Sequence, residues 1–273
     1  NNHNEVCGTF TVGFSNDRPF YWTPQGGFVA IPLPPGVLGG KANDLSDAGL
    51  VVGVMSYSGG QGSNRGFIYD IHTGAMTTLF TEHGQGTCEI TGVNEAGVVC
   101  GFRSVNDGGD VFWPVNAFRW SPQTGFEDMA PGPDSQLAFA INESNTVTGI
   151  WYPSGVIHAF RWRANGTIED MPTLSGMETR GAAINDLDVT VGTSAIPLTG
   201  FPHGAPRAVR IIGNQITNLG TLPGFAFSFA DDLNNSGTSV GYAHAVGTTG
   251  MRRAVIWDHG ILRDLNQFND NLN

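Results

Sequence analysis

Residues 137–171 read LAFAINESNTVTGIWYPSGVIHAFRWRANGTIEDM, and the pattern inside this stretch decides the fold. Four short runs rich in β-branched and aromatic residues are separated by Asn, Ser, Gly and Pro, which is strand-and-turn grammar rather than helix. The strands fall at 137–142 (a), 146–151 (b), 159–163 (c) and 167–171 (d). Tight turns join a to b and c to d, while the b–c and d–a connections are longer.

The same unit recurs along the chain. A segment ending in Val/Thr/Ser-x-Gly closes at Gly8, Gly53, Gly101, Gly149, Gly192 and Gly241, at intervals of 45, 48, 48, 43 and 49 residues. An apolar triplet follows each glycine: Phe20-Tyr21-Trp22, Phe67-Ile68-Tyr69, Phe118-Arg119-Trp120, Phe160-Arg161-Trp162, Val209-Arg210-Ile211 and Val255-Ile256-Trp257. Ahead of each glycine stands a polar column of Asn1, Ser46, Asn94, Asn142, Asn185 and Asn234, followed by a column of Asn4, Gly49, Gly97, Asn145, Asp188 and Gly237. Only residues that tolerate a left-handed backbone occupy the second column, so each a–b turn is predicted to need φ > 0 there. The Asn/Ser side chain ahead of it is free to bond the turn backbone.

Four antiparallel strands per ~45 residues is the arithmetic of a β-propeller blade. The expected fold is therefore all-β, a six-bladed β-propeller of four-stranded antiparallel blades forming a single domain over 1–273. Its repeat units are about 1–36, 37–84, 85–132, 133–176, 177–224 and 225–273. The first blade lacks its own innermost strand, because Asn1 already sits in the a–b turn. The C-terminal tail, 268–273, is expected to complete it, since Leu272-Asn273 echoes Leu233-Asn234. An upstream segment is the rival, because the chain opens without an initiator methionine, as a processed or partial form would.

Composition agrees with this reading. Of 273 residues 39 are glycine, and only 14 % are charged, which disfavours both a helix bundle and a disordered chain. A net charge of −11 lacks the basic footprint of a nucleic-acid binder, and no apolar run approaches the length of a membrane span. Cys7, Cys88 and Cys100 are too few for a disulfide framework. Cys88 and Cys100 are the only pair near each other, and their offset across one hairpin predicts three free thiols.

His158-Ala159-Phe160-Arg161-Trp162, preceded by Ala140-Ile141-Asn142 and Val147-Thr148-Gly149, resembles the HAF repeat of bacterial proteins described as probable extracellular repeat proteins. Ile168-Glu169-Asp170-Met171 and Leu222-Pro223-Gly224 fit the tail of that repeat. The resemblance runs through all six copies, although only the fourth carries the literal His-Ala-Phe. It implies secretion and a propeller-like fold, and it implies no established activity.

Two sets of residues could carry chemistry. One is a column at the start of strand c: Arg18, Arg65, Asn116, His158, Arg207 and Arg253. It could collect an anionic ligand, or each member could pair with a strand-d carboxylate such as Asp128, Asp170 or Asp264, with Thr78 and Asn218 in the same column. The other set is unrepeated, and blade packing does not call for it: Tyr57, Asp110, Phe112, Trp113, Trp151, Tyr152, Phe201, His203, His244 and Arg252, assigned to the b–c loops of copies two to six, with His158 of the strand-c column expected at nearly the same height. Aromatic rings amid hydroxyl-orienting polar groups suit saccharide binding. They are expected to gather in one cleft centred on copies three to five, or else to serve as small lids burying their own rings. The Trp/Tyr column of Trp22, Tyr69, Trp120, Trp162 and Trp257 is expected in the core between blades.

The expected function is a secreted, non-catalytic carbohydrate-binding or interaction module with no cofactor and no metal. An extracellular carbohydrate-active enzyme resembling a polysaccharide lyase is one alternative; a structural surface or assembly subunit is another. Asn106–Asp110 offers oxygen ligands without the spacing of a calcium loop.

Overall fold

The six left-handed positions expected in the turns are all left-handed. Asn4, Asn145 and Asp188 have φ of 59°, 59° and 58°, and Gly49, Gly97 and Gly237 have 78°, 74° and 84°. In this computed structural model, which describes residues 1–13, 16–57, 64–80, 86–104, 115–129, 135–246 and 252–267, each turn joins the first two strands of a sheet, or leads into the first sheet at Asn4.

Six antiparallel sheets follow in chain order, one with three strands and five with four. The first holds β1 (Val6–Val12), β2 (Asn16–Thr23) and β3 (Gly27–Ala30). The second holds β4 (Val37–Leu45), β5 (Leu50–Tyr57), β6 (Asn64–Asp70) and β7 (Met76–Leu79). The third holds β8 (Cys88–Val93), β9 (Val99–Ser104), β10 (Val115–Ser121) and β11 (Gly125–Asp128). The fourth holds β12 (Gln136–Ile141), β13 (Val147–Trp151), β14 (His158–Trp162) and β15 (Ile168–Asp170). The fifth holds β16 (Thr179–Ile184), β17 (Val189–Leu198), β18 (Phe201–Ile212) and β19 (Gln215–Gly220). The sixth holds β20 (Phe227–Leu233), β21 (Ser239–His244), β22 (Arg252–Asp258) and β23 (Ile261–Asp264). The tail, 268–273, lies outside the described residues.

The glycine that ends each Val/Thr/Ser-x-Gly segment has a physical cause. In sheets two, three, five and six the first strand is bulged, with register shifts at Ala42/Asp44, Ile90/Gly92, Gly181/Ala183 and Ala230/Asp232. The second strand presents Gly53, Gly101, Gly192 and Gly241 directly opposite the residue before the shift. A Cβ at these glycines would lie 1.9, 1.9, 1.9 and 2.0 Å from a carbonyl oxygen of the bulged strand, so no side chain fits. The bulge also re-aims its extra residue: Asn43 donates to Ile90 O at 2.8 Å and Thr91 to Ala138 O at 3.0 Å, tying one sheet to the next.

The chain falls into two compact units, Asn1–Asn145 and Thr146–Asn273. In the first, alternation along β5 sends neighbouring side chains to opposite faces. Val51 and Met55 join Phe67 and Tyr69 in packing with Cys7 and Tyr21 of the first sheet. Val52 packs the other way, with Cys88, Ile90, Val99 and Phe118 of the third. In the second unit Ala159 and Met171 pack with Val209 and Ile211. Tyr69, Trp162 and Trp257 are buried as expected of their column, but Trp22 is 39 % exposed. Val6, Trp22 and Phe28, one cross-strand row of the first sheet, are all exposed.

The Asn column does more than turn chemistry. The Oδ1 of Asn94, Asn185 and Asn234 accepts a turn N–H at 3.0 Å in each case. The amide nitrogens of Asn1, Asn94 and Asn185 also donate to the backbone oxygen of the same column in the next sheet: Ser46, Asn142 and Asn234, at 3.0, 3.2 and 3.1 Å. One side chain thus fixes its own turn and the position of its neighbour's.

Candidate functional site

Those of the unrepeated residues that the structure describes lie at the b–c ends of their sheets, and in the second unit they form two groups. The first belongs to the fourth sheet. Trp151, the last residue of β13, pairs in register with His158, the first of β14. The Nδ1 of His158 lies 2.9 and 3.0 Å from the two carboxylate oxygens of Asp170, and the indole N–H of Trp151 donates to the same Asp170 at 3.3 Å. The carboxylate remains about half exposed between them. Tyr152 follows, half-buried, at the start of a 3₁₀ turn over Pro153–Gly155. The two rings therefore have fixed polar edges beside an acceptor still open to solvent.

The second group joins the fifth and sixth sheets. Phe201 meets Phe227 edge-on at 5.3 Å, and Phe227 stacks on its cross-strand partner His244 at 5.9 Å. Two residues further along the same strands, Phe229 stacks on Tyr242 at 4.6 Å, and the Arg252 guanidinium lies 4.9 Å above the Tyr242 ring. Burial, with Asp232 beside it, pushes the Asp231 carboxyl up; burial and Asp231 push the Tyr242 hydroxyl up.

Two expectations need correction here. Phe201 and His203 are not in a loop: β17 and β18 form one long hairpin closed by Thr199-Gly200, with Leu198 paired to Phe201. The cross-strand ladder simply continues beyond the length of the other sheets, and His203 projects from it, 87 % exposed, at 4.0 Å from Glu178. The ring contacts of Phe201 run to the sixth sheet, so the described residues group copy five with copy six. Asp110, Phe112 and Trp113 of copy three lie outside the described residues, as does Asn106–Asp110.

In the first unit, Tyr57 ends β5 beneath the guanidinium of Arg65, 4.2 Å from its ring centroid. The other His and Arg members of Arg65's strand-c column are satisfied in several ways. His158 takes Asp170, Arg253 lies 3.6 Å from Asp264, Arg18 donates to Leu38 O at 3.0 Å, and Arg207 donates to Ala226 O. Asp128 of β11 pairs across β10 with Arg103 of β9 rather than with Asn116.

The arginines that sequence reasoning passed over are those inside the apolar triplets. Arg119 donates to Asn145 O at 2.9 Å and to Glu127 at 3.1 Å. Arg161, only 1 % exposed, donates to Asp188 O and to Glu169, both at 3.1 Å. Each grips the left-handed turn residue of the following sheet. Two Phe-Arg-Trp triplets ahead of Asn145 and Asp188 were the available signal. Among the described residues no group of three His, Cys, Asp or Glu could hold a metal ion, and no helix is long and apolar enough to cross a membrane.

Several solved structures share this arrangement of sheets. The β-propeller domain of the Trilobed protease from Pyrococcus furiosus, described as having an open velcro topology, is 10 % identical, with a TM-score of 0.55 over 95 % of this chain and 80 % of that one. The fold is a β-propeller. A puromycin hydrolase is 16 % identical, with a TM-score of 0.59 over 94 % of this chain and 42 % of its own, so the propeller spans less than half of that protein. Virginiamycin B lyase from Staphylococcus aureus is 12 % identical, with a TM-score of 0.52 over 96 % of this chain and 87 % of its own. At these identities the likeness is one of fold. No family model and no curated protein matches the propeller.

Proposed function

We propose that this propeller is a non-catalytic binding module of the HAF-repeat family that works outside the cell and holds carbohydrate at the b–c ends of its blades. The observation that carries the reading is the fourth sheet's group. Trp151 and His158 converge on one half-exposed carboxylate, so a flat ring surface stands beside an acceptor and an imidazole. A sugar needs that combination, a face for its C–H groups and oriented partners for its hydroxyls. The Phe201–Phe227–His244 ladder offers a second apolar surface at the same ends of the sheets.

The reading includes one domain of six blades closed by the tail. Its support is that 268–273, FNDNLN, matches 229–234, FADDLN, at four of six positions, and the latter forms most of the first strand of the sixth sheet. The test of function is a glycan array with the intact chain, followed by Trp151→Ala. Retention of a glycan that is lost in the variant, with stability lowered by no more than about 1 kcal/mol, supports the proposal. An array with no retained glycan, or retention indifferent to Trp151, overturns it.

A further inference from the structure

Arg65 is held in place by aromatic rings and has no polar partner among the described residues. Its guanidinium lies 4.2 Å from the Tyr57 ring centroid and 5.3 Å from that of Phe80, which is itself 48 % exposed. Its Nε is shut off from solvent without an acceptor. The cause is legible in the register. The column facing the middle of strand c on strand d holds Asp128, Asp170 and Asp264 in sheets three, four and six, paired with Phe118, Phe160 and Val255. In sheet two the residue there, paired with Phe67, is Thr78. The cation was kept and the carboxylate was not.

The third sheet supplies the comparison within the same molecule. Arg103 also lies over an aromatic ring, 4.0 Å from the Phe126 centroid, and there the guanidinium receives a carboxylate in a two-point clasp, at 2.9 and 2.7 Å from Asp128. A stacked guanidinium loses little freedom when it binds, and its fork matches the two oxygens of a carboxylate. With Nε closed, the Arg65 fork available to a ligand is the end-on pair of terminal nitrogens.

We infer that Arg65 is the recognition point for the carboxylate of an acidic sugar, with Tyr57 and Phe80 fixing the guanidinium and Phe80 offering its exposed face to the sugar ring. The inference rests on the carbohydrate reading and narrows it from saccharides in general to uronate-bearing ones. A net charge of −11 adds a constraint. The field of the whole chain opposes an anion, so a ring-held cation with no polar partner among the described residues is where such a ligand would be accepted.

The test measures binding to the intact chain by titration calorimetry with three probes: a uronate oligosaccharide, its neutral counterpart and a sulfated counterpart. The uronate should bind at least about tenfold more tightly than the neutral probe, and Arg65→Gln should remove that advantage while leaving neutral binding unchanged. Arg65→Lys keeps the charge and loses the fork, so it should recover only part of the preference. Neutral binding with no uronate preference, a preference indifferent to Arg65→Gln, or stronger binding of the sulfated probe overturns the inference and leaves the carbohydrate reading standing. Binding of none of the three overturns both.

Discussion

The repeat's glycine column gives the sharpest test of the architecture, because one substitution should have different consequences at equivalent positions. In Gly101→Ala the new Cβ would fall 1.9 Å from the Glu89 carbonyl oxygen and 3.0 Å from the Ile90 Cα. Backbone on both sides of the contact means the two strands must part. Forced overpacking costs about 1–3 kcal/mol, and separating the bulge gives up one or two ladder hydrogen bonds at about 1 kcal/mol each, so the expected loss is about 3–4 kcal/mol. For a chain of this size a 3 kcal/mol loss lowers the thermal midpoint by about 6–12 °C.

Gly8 holds the same column in the first sheet, where no fourth strand lies among the described residues. Among the described residues the nearest atoms to a Cβ there belong to the Phe20 ring, at 2.9 Å, and a ring edge can swing aside. With β1 as a bare edge, Gly8→Ala should be close to neutral, since removing a glycine also restricts the unfolded chain by about 0.4–1 kcal/mol. With the tail paired to β1 through the same bulge, as proposed, Gly8→Ala should cost about as much as Gly101→Ala. Deleting 268–273 should then lower stability in the parent and erase the penalty of Gly8→Ala. Urea denaturation of the five proteins (parent, Gly101→Ala, Gly8→Ala, the deletion, and the deletion with Gly8→Ala) reads this directly. A Gly101→Ala protein within about 1 kcal/mol of the parent refutes the close-approach argument itself. A neutral Gly8→Ala in the full chain refutes closure by the tail.

Two further outcomes follow from burial. Burial pushes the thiols of Cys7, Cys88 and Cys100 up to about 12, so the folded protein should leave a disulfide reagent unreacted at pH 8, whereas the unfolded, unreduced chain should titrate three groups; fewer than three would mean a bridge. Burial also raises the Glu89 carboxyl, against the Asn43 amide at 3.2 Å and Lys41, which lower it. Its charged form is therefore disfavoured in the fold: that penalty is present at neutral pH and fades as pH falls through the folded value toward the unfolded ~4.3. Glu89→Gln should be more stable than the parent at pH 7 and indistinguishable from it below about pH 4, and a constant difference across that window would show that the charge is not the cause.

The strands and turns were legible because each repeats six times and each rests on local chemistry. Only Asn, Gly and Asp could hold the left-handed position, and the strands of the fourth copy lie within a residue or two of where alternation puts them. The long β17–β18 hairpin was not legible. Pro197, Pro202 and Pro206 read as breakers of a strand, yet Pro206 pairs with Ala195 inside the ladder. Arg161 was missed for a different reason. Phe160, Arg161 and Trp162 are all buried, so both faces of β14 are covered and alternation cannot separate an inward clamp from an outward charge. The bulge was hidden because it exists only in the pairing of two strands, although a glycine fixed in every copy was its trace.

Repetition also tells where function is to be sought. A column that recurs from sheet to sheet is explained by a contact that recurs with it, as Asn1, Asn94 and Asn185 each bond the next sheet's backbone. The informative residue is one that keeps half of a repeated pair. His158 and Arg253 each retain a strand-d carboxylate and are internally satisfied. Arg65, with Thr78 where those sheets have aspartate, keeps its charge and its aromatic support and has no polar partner among the described residues. Restoring the repeat with Thr78→Asp is the converse of Arg65→Gln. The new carboxylate should engage the guanidinium and displace an acidic ligand, while a half-buried ion pair at a sheet's end changes stability by about 1 kcal/mol or less. Loss of uronate binding in a variant of parental stability would place the ligand at Arg65; unchanged binding would remove it from there.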